Sequence, residues 1–147
     1  MREILFRGKR TDNGEWICSG NLIQFFDNNI REVYISQYGE RCNAVHDIDT
    51  DNIETITCKN GARFYKVILE TVGQYTGLLD KNGKKIFEGD ILNTTNSDYV
   101  IWCVDSKNTA FCCNQGNANY SCVLDDFMRF SDVEVIGNIH DNHDLLK

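Results

Sequence analysis

Residues 74–92 read QYTGLLDKNGKKIFEGDIL, and residues 6–23 follow the same scheme with FRGKRTDNGEWICSGNLI. An offset of 69 positions aligns three glycines of one stretch with three of the other, in the pairs Gly8–Gly77, Gly14–Gly83 and Gly20–Gly89. Glycine is used where the backbone needs a positive φ or a close approach, so matching glycines predict a matching backbone. The sequence therefore predicts two copies of one small β-unit in tandem.

Short segments of alternating or apolar residues continue outward from these stretches and indicate β-strands. One short helical turn is predicted over Asp125–Phe130, before a last strand over Val133–His140. No long amphipathic helix is present, and a parallel α/β fold needs one for each crossover. We expect an all-β fold of two tandem small SH3-like β-barrel units packed together, with little helix. The N-terminal unit, a diverged repeat, covers residues 1–72, and the C-terminal unit covers residues 73–147.

The turns are predicted from their asparagines and glycines. Asn13-Gly14 and Asn82-Gly83 are expected to form two-residue type I′ hairpin turns with positive φ. Strands over Leu22–Phe26 and Glu32–Ser36 are separated by Asp27-Asn28-Asn29. Residues 39–52 are polar and irregular, and the sequence assigns them no structure.

Composition limits the class of partner. The chain has 147 residues and 41% hydrophobic residues, which is enough to bury a core. The net charge is −7, with the acids spread along the chain. Phosphate binding needs clustered cations, and the best cluster is Arg2, Arg7, Lys9 and Arg10. Sequence-independent nucleic-acid binding is therefore disfavoured, although a local basic face stays open.

Localisation is predicted from apolar runs and cysteines. No apolar run approaches the ~18 residues of a membrane-spanning helix, and the N-terminus lacks the apolar segment of a signal peptide. The seven cysteines are an odd number, and none of their spacings is C-x-x-C. We expect reduced thiols, no membrane association and a cytoplasmic protein.

Three sequence blocks carry a resemblance to a known family: MREILFRGK at 1–9, QYTGLLDKNGKKIFEGDIL at 74–92 and EVIGNIHDNHDLL at 134–146. They resemble, in the same order, the YopX family of bacteriophage and prophage proteins. The resemblance implies a β-rich fold of SH3-like character, carried on phage or prophage genomes and acting in the bacterial cytoplasm. It implies no activity, cofactor or active-site residue. Family members often read Tyr-Glu-Asn-Pro where this chain has His140-Asp-Asn-His143, so a histidine-based function would belong to this chain alone.

Metal and nucleotide motifs are incomplete. Asp47-Ile-Asp-Thr-Asp51 begins like a calcium-binding EF-hand loop, but Asn52 and Cys58 replace the glycine and glutamate that the loop requires. The Gly8-Lys9 pair lies too close to Met1 for the upstream glycine of a P-loop. A zinc site would require the fold to bring together ligands that include no tight C-x2-C pair. The candidate ligands are Cys112, Cys113, Cys122, His140 and His143. We expect structural thiols, no bound metal and no cofactor.

No nucleophile–base signature is present, so we expect no catalytic residue and no enzyme. The aromatic residues expected to matter most are Trp16, Tyr75, Tyr99, Trp102 and Tyr120. The segment Tyr99–Val104 is apolar on both faces, which suits a strand buried between the repeats or in a dimer. A homo-oligomer therefore stays open.

The central block also contains a candidate binding surface beside its hairpin, made of Gln74, Tyr75, Thr76, Asp80, Glu88 and Asp90. In the favoured alternative these residues are structural, with Asp80 and Asp90 accepting hydrogen bonds from backbone donors at turns. The leading functional hypothesis is a non-catalytic phage or prophage accessory protein that binds a host or phage protein. The alternatives are a nucleic-acid-binding or DNA-mimicking β-barrel and, third, an enzyme.

Overall fold

The structure, a computed structural model, describes residues 3–37, 48–50, 54–58, 60–94, 101–107, 110–114, 121–130 and 132–146. The predicted β character is confirmed, because the described residues form antiparallel sheets with one short α-helix. The chain divides into two units, residues 1–74 and 75–147. No helix in the described part of the chain is long and apolar enough to cross a membrane.

The first unit contains these strands: β1 Phe6–Lys9, β2 Trp16–Ser19, β3 Leu22–Asp27, β4 Ile30–Ser36, β5 Ile48–Thr50, β6 Thr55–Cys58 and β7 Arg63–Val67. A 3-10 turn over Leu69–Thr71 leads into β8, Gly73–Leu79, which begins in this unit by pairing with β1. Strands β3 to β7 form one sheet in the order β3-β4-β7-β6-β5. Of the unassigned residues 39–52, the structure describes only those of β5.

The five-stranded sheet of the first unit is apolar on both faces. Val33, Ile35 and Val67 lie on one face and pack with Ile17 of β2. Phe64 lies in a second cluster, on the other face. Side chains alternate along a strand, so the apolar runs of β4 and β7 supply both faces.

The second unit contains the rest of β8 and these elements: β9 Lys85–Phe87, β10 Asp90–Thr94, β11 Ile101–Lys107, β12 Ala110–Asn114, β13 Ser121–Val123, α1 Leu124–Phe130 and β14 Val133–Asn138, with a 3-10 turn over His143–Leu146. Its sheet has the order β13-β12-β11-β10-β14. The predicted helical turn is confirmed as α1, whose Leu124 is fully buried with Ile86 and Leu92.

The two predicted Asn-Gly turns are only partly as expected. Gly14 and Gly83 have the predicted positive φ, 74° and 81°. Asn13 and Asn82 do not, so the two-residue type I′ prediction is wrong. Arg10 N donates to Glu15 O at 2.9 Å across one loop, and Asp80 N donates to Lys84 O at 2.8 Å across the other. Both loops are therefore longer than two residues and place the glycine last.

A two-residue turn occurs instead between β3 and β4. Asp27 pairs directly with Ile30, and the residues between them, Asn28 and Asn29, have φ of 46° and 71°. Positive φ at both central positions defines a type I′ turn, and asparagine is the non-glycine residue that best tolerates it. The sequence separator Asp27-Asn28-Asn29 is thus a tight hairpin turn that extends both flanking strands.

The first four strands of each aligned region pair in the same order. Strand β1 pairs with β2, and β3 with β4; likewise β8 pairs with β9, and β10 with β11. The sheets then continue differently, because β4 pairs with the distant β7 while β11 pairs with the adjacent β12. The duplication and its SH3-like character stay predictions.

Candidate binding surfaces

The surface predicted around the central hairpin is largely buried. Gln74 and Glu88 are half-buried, and the other four predicted residues are buried, namely Tyr75, Thr76, Asp80 and Asp90. The ring of Tyr75 packs on that of Phe87, with centroids 5.5 Å apart. Four of the six side chains are thus packed inside the fold, and the role of the set in binding stays a prediction.

Asp80 organises the hairpin between β8 and β9. One carboxylate oxygen accepts hydrogen bonds from the backbone amides of Asn82 and Lys84, both at 2.8 Å, and the other accepts one from Val135 at 3.0 Å. Burial alone would raise the pKa of Asp80, but the three amide hydrogen bonds outweigh it and hold that pKa below its ordinary value. The carboxylate is thus a structural acceptor that ties the turn to β14.

Thr76 and Asp90 also direct their polar atoms inward. The Thr76 hydroxyl donates to the Ile86 carbonyl at 2.8 Å, and Asp90 Oδ2 accepts from the Phe87 amide at 2.8 Å. Asp90 thus satisfies a backbone donor at a turn and Thr76 occupies a position in strand β8, as the structural interpretation of the sequence expects.

An aromatic and cationic face, whose side chains are half-buried, lies on one side of the β1–β2 hairpin. Lys9 pairs directly with Trp16, and Arg7 lies two residues away on the same face. The guanidinium carbon of Arg7 is 4.8 Å from the Trp16 ring centroid, and the Lys9 ammonium is 5.9 Å from it. Both distances fit cation–π contacts. Two cations of the predicted cluster, Arg7 and Lys9, therefore meet at Trp16.

Arg10 lies outside this face and contacts Tyr65 and Asp12 instead. Its guanidinium lies 3.7 Å from the Tyr65 ring centroid and donates to both carboxylate oxygens of Asp12, at 2.6 and 2.9 Å. The hydrogen bond with Arg10 lowers the pKa of Asp12. Because Asp12 neutralises Arg10, the predicted cationic cluster is smaller in the folded chain than in the sequence.

The tip of the β3–β4 hairpin is the most exposed apolar feature that the described residues show. Phe26 is 74% exposed and Ile30 is 63% exposed. Phe26 pairs with Arg31, and Ile30 pairs with Asp27, so the two apolar side chains lie on opposite faces of the hairpin. We call Phe26 and Ile30 the hairpin tip.

The rest of the hairpin holds the tip in place. Phe25 and Tyr34 meet edge to face with ring centroids 5.7 Å apart, and Arg31 Nε donates to Gln24 Oε1 at 2.8 Å. The tip is absent from the sites predicted from sequence, because Asp27-Asn28-Asn29 is assigned there only as a separator of two strands. Its signal was two αL-tolerant residues directly between strands.

The metal hypotheses gain no geometric support within the described residues. These hold no group of three or more His, Cys, Asp or Glu side chains placed to bind an ion. Cys112, Cys113 and Cys122 lie in β12 and β13, where Cys113 and Cys122 are register partners. Of the EF-hand-like acids, Asp49 lies in β5, and Asp47 and Asp51 lie outside the described residues. Tyr99 and Tyr120 also lie outside them, and Trp102 pairs with Leu92.

Comparison with known proteins confirms the family. The family model described as "YopX protein" matches residues 5–147, so this chain belongs to the YopX family. Among solved structures, the fold is similar to the crystal structure of protein EF1440 from Enterococcus faecalis, at a TM-score of 0.53 and 21% identity over 100% of both chains. No curated protein matches the chain significantly.

Proposed function

We propose that this chain is a non-catalytic protein-binding module that presents the hairpin tip to its partner. The exposure of Phe26 and Ile30 carries the proposal. A large aromatic side chain that is three-quarters in water contributes no folding stability from burial, whereas it is a favourable anchor in a protein interface. A type I′ turn is compact, so the tip pays little conformational entropy when a partner binds it.

The biological setting is part of the same proposal. The three sequence blocks that resemble the YopX family support a phage or prophage accessory protein acting in the bacterial cytoplasm, with a host or phage protein as partner. The two units are proposed to be diverged copies of one SH3-like element, on the strength of their common opening pairings.

Affinity capture tests this function. The tagged chain is incubated with lysate of bacteria in which the phage or prophage is induced, and co-purified proteins are quantified by mass spectrometry. We expect Phe26→Lys combined with Ile30→Lys to remove a specific protein that the native chain enriches. Leu79→Lys is the matched control, because Leu79 is 48% exposed and lies in the second unit. Identical enrichment by all three proteins would refute the proposal.

Nucleic-acid binding is a second candidate, favoured by the face that joins Arg7, Lys9 and Trp16. Aromatic rings flanked by cations bind single strands by stacking and charge. The net charge of −7 opposes it. A low-salt gel-shift assay with single- and double-stranded probes decides, with Trp16→Ala as the variant that should abolish any shift.

A further inference from the structure

The edges of the two five-stranded sheets differ in how they resist pairing with another chain. Exposed edge strands offer unpaired backbone groups, and proteins protect them by short length, charge, proline or bulges. Strands β5 and β13 have three residues each. Strand β14 carries Glu134, which pairs with Lys81 at 3.4 Å, and a register shift against β10. Three of the four edges are therefore protected.

Strand β3, the fourth edge, is charged only at its last residue, Asp27, and lacks the other protections. It has six residues, and all six pair with β4 without a register shift. From Leu22 to Phe26 it contains no charge, proline or glycine. In the described part of the sheet its neighbour is β4 alone. A long, regular edge with five consecutive uncharged residues is a template for another strand.

From this edge we infer that β3 pairs with β3 of a second copy of the chain, as antiparallel strands about a two-fold axis at Gln24. This inference rests on the proposed function, because it names the partner of the same hairpin. The axis at Gln24 places Leu22 opposite Phe26 and Ile23 opposite Phe25. Aliphatic–aromatic pairs of this kind stabilise antiparallel strands. Each pair occurs twice, so the exposed Phe26 of both copies gains a neighbour.

Charge favours this register over the neighbouring one and makes dimerisation depend on salt concentration. An axis one residue further along, at Phe25, would place Asp27 opposite Ile23, whereas the axis at Gln24 keeps Asp27 beyond the apolar pairs. Two copies of charge −7 repel each other at long range. Salt screens that repulsion and leaves the backbone and apolar pairing in place. Dimerisation is therefore expected to strengthen as salt concentration rises.

Sedimentation velocity over a wide range of concentration tests the inference on the full chain. The native chain should dimerise reversibly, and Phe26→Lys should raise the dimer dissociation constant about tenfold, through loss of two apolar cross-strand pairs. Leu79→Lys is the matched control, because Leu79 is also an exposed apolar residue but lies in the second unit, outside the hairpin tip and β3. It should leave the dissociation constant within about twofold. A monomer at every concentration, or equal effects of the two variants, would overturn the inference.

Cysteine cross-linking tests the axis itself. Residues at the axis face their own copies, with Cα atoms about 5 Å apart, which suits a disulfide. Gln24→Cys should therefore give a reducible covalent dimer after mild oxidation. Phe26→Cys should give no more covalent dimer than the native chain, because the two introduced cysteines would lie about 13 Å apart. Equal cross-linking of both variants would contradict the register.

The two proposals fail separately. If the chain is monomeric but Phe26→Lys still removes a captured protein of different sequence, the self-pairing is wrong and the protein-binding function stands. If no hairpin-dependent association is found with any protein, including a second copy, both are wrong.

Discussion

The hairpins β1–β2 and β8–β9 share an Asn-Gly turn but are anchored by different chemistry. The β8–β9 turn is held by the carboxylate of Asp80, which is 7% exposed and accepts three backbone hydrogen bonds. The β1–β2 turn has Thr11 at the aligned position, and its nearby acid, Asp12, pairs with Arg10 at the surface. A shared glycine thus specifies the bend, while the residue three positions before it decides how firmly the bend is attached.

The other aligned glycines differ in their backbone role. Gly77 and Gly89 have positive φ, both 87°, whereas their counterparts Gly8 and Gly20 are not among the residues with positive φ. At Gly8 an added Cβ would lie 2.9 Å from Val67 Cβ, so glycine is needed there for close packing. Only the pair Gly14–Gly83 keeps one conformation, so the expectation of a matching backbone at all three pairs is wrong.

The largest effect is expected at Asp80. Asp80→Ala leaves three backbone amides without their acceptor and should lower the free energy of unfolding by about 3 kcal/mol. Asp12→Ala removes an exposed carboxylate whose main partner is Arg10 and should cost less than about 1 kcal/mol. Urea unfolding followed by tryptophan fluorescence measures both. Equal costs would show that the two turns are anchored equally.

A second effect is expected from close packing at Gly8. Gly8→Ala should destabilise by about 2 kcal/mol, because its methyl group meets the stiff, β-branched Val67. Val67→Ala removes the Cγ contacts at 3.0 and 3.1 Å and keeps the Cβ contact at 2.9 Å, so the double variant should lose less than the sum of the single losses. Gly77→Ala should cost about 1 kcal/mol through backbone strain. It should show no coupling to Val67→Ala, and coupling of equal size at both glycines would contradict the distinction.

The turn glycines should behave alike, in contrast to the other pairs. An added Cβ at Gly14 or Gly83 meets nothing within 4 Å, so only the positive φ opposes substitution. Gly14→Val and Gly83→Val should each lower the free energy of unfolding by about 1–2 kcal/mol. Thermal unfolding of both variants provides the measurement. An unchanged midpoint in either would show that its turn has another conformation.

The smallest effect is expected from pH, because protonation leaves the Asp80 side chain in place. The pKa of Asp80 is lower in the folded chain than the ordinary aspartate value of about 3.9. The folded state thus binds the proton of Asp80 less tightly than the unfolded state does. The stability that the ionised Asp80 contributes is therefore fully present above the ordinary value, and it is lost as the pH falls below that value toward the folded pKa. Urea midpoints between neutral pH and about pH 3 should fall more steeply for the native chain than for Asp80→Asn. An equal fall of the urea midpoint in the native chain and in Asp80→Asn would show that Asp80 is not the source of the pH dependence.

Local patterns in the sequence predicted the strand elements well. Alternation indicated the antiparallel strands, the acidic Asp125–Phe130 segment indicated α1, and Gly14 and Gly83 indicated positive φ. These features depend on residues close together in the chain. The hairpin tip was missed because exposure is decided by which strands lie beside β3 and β4.

The amino-acid sequence by itself determined the β-rich class, the positions of most turns and, through its three blocks, membership of the YopX family. The tertiary structure decided which polar residues are used internally. Asp80 lies in the predicted surface block, but the amide of Val135, far along the chain, completes its hydrogen bonding and buries it. It also decided that Gly8 faces Val67 and that Phe26 faces water. The burial and contacts of a side chain depend on residues distant in sequence. A local pattern therefore predicts the backbone conformation better than it predicts which side chains are exposed.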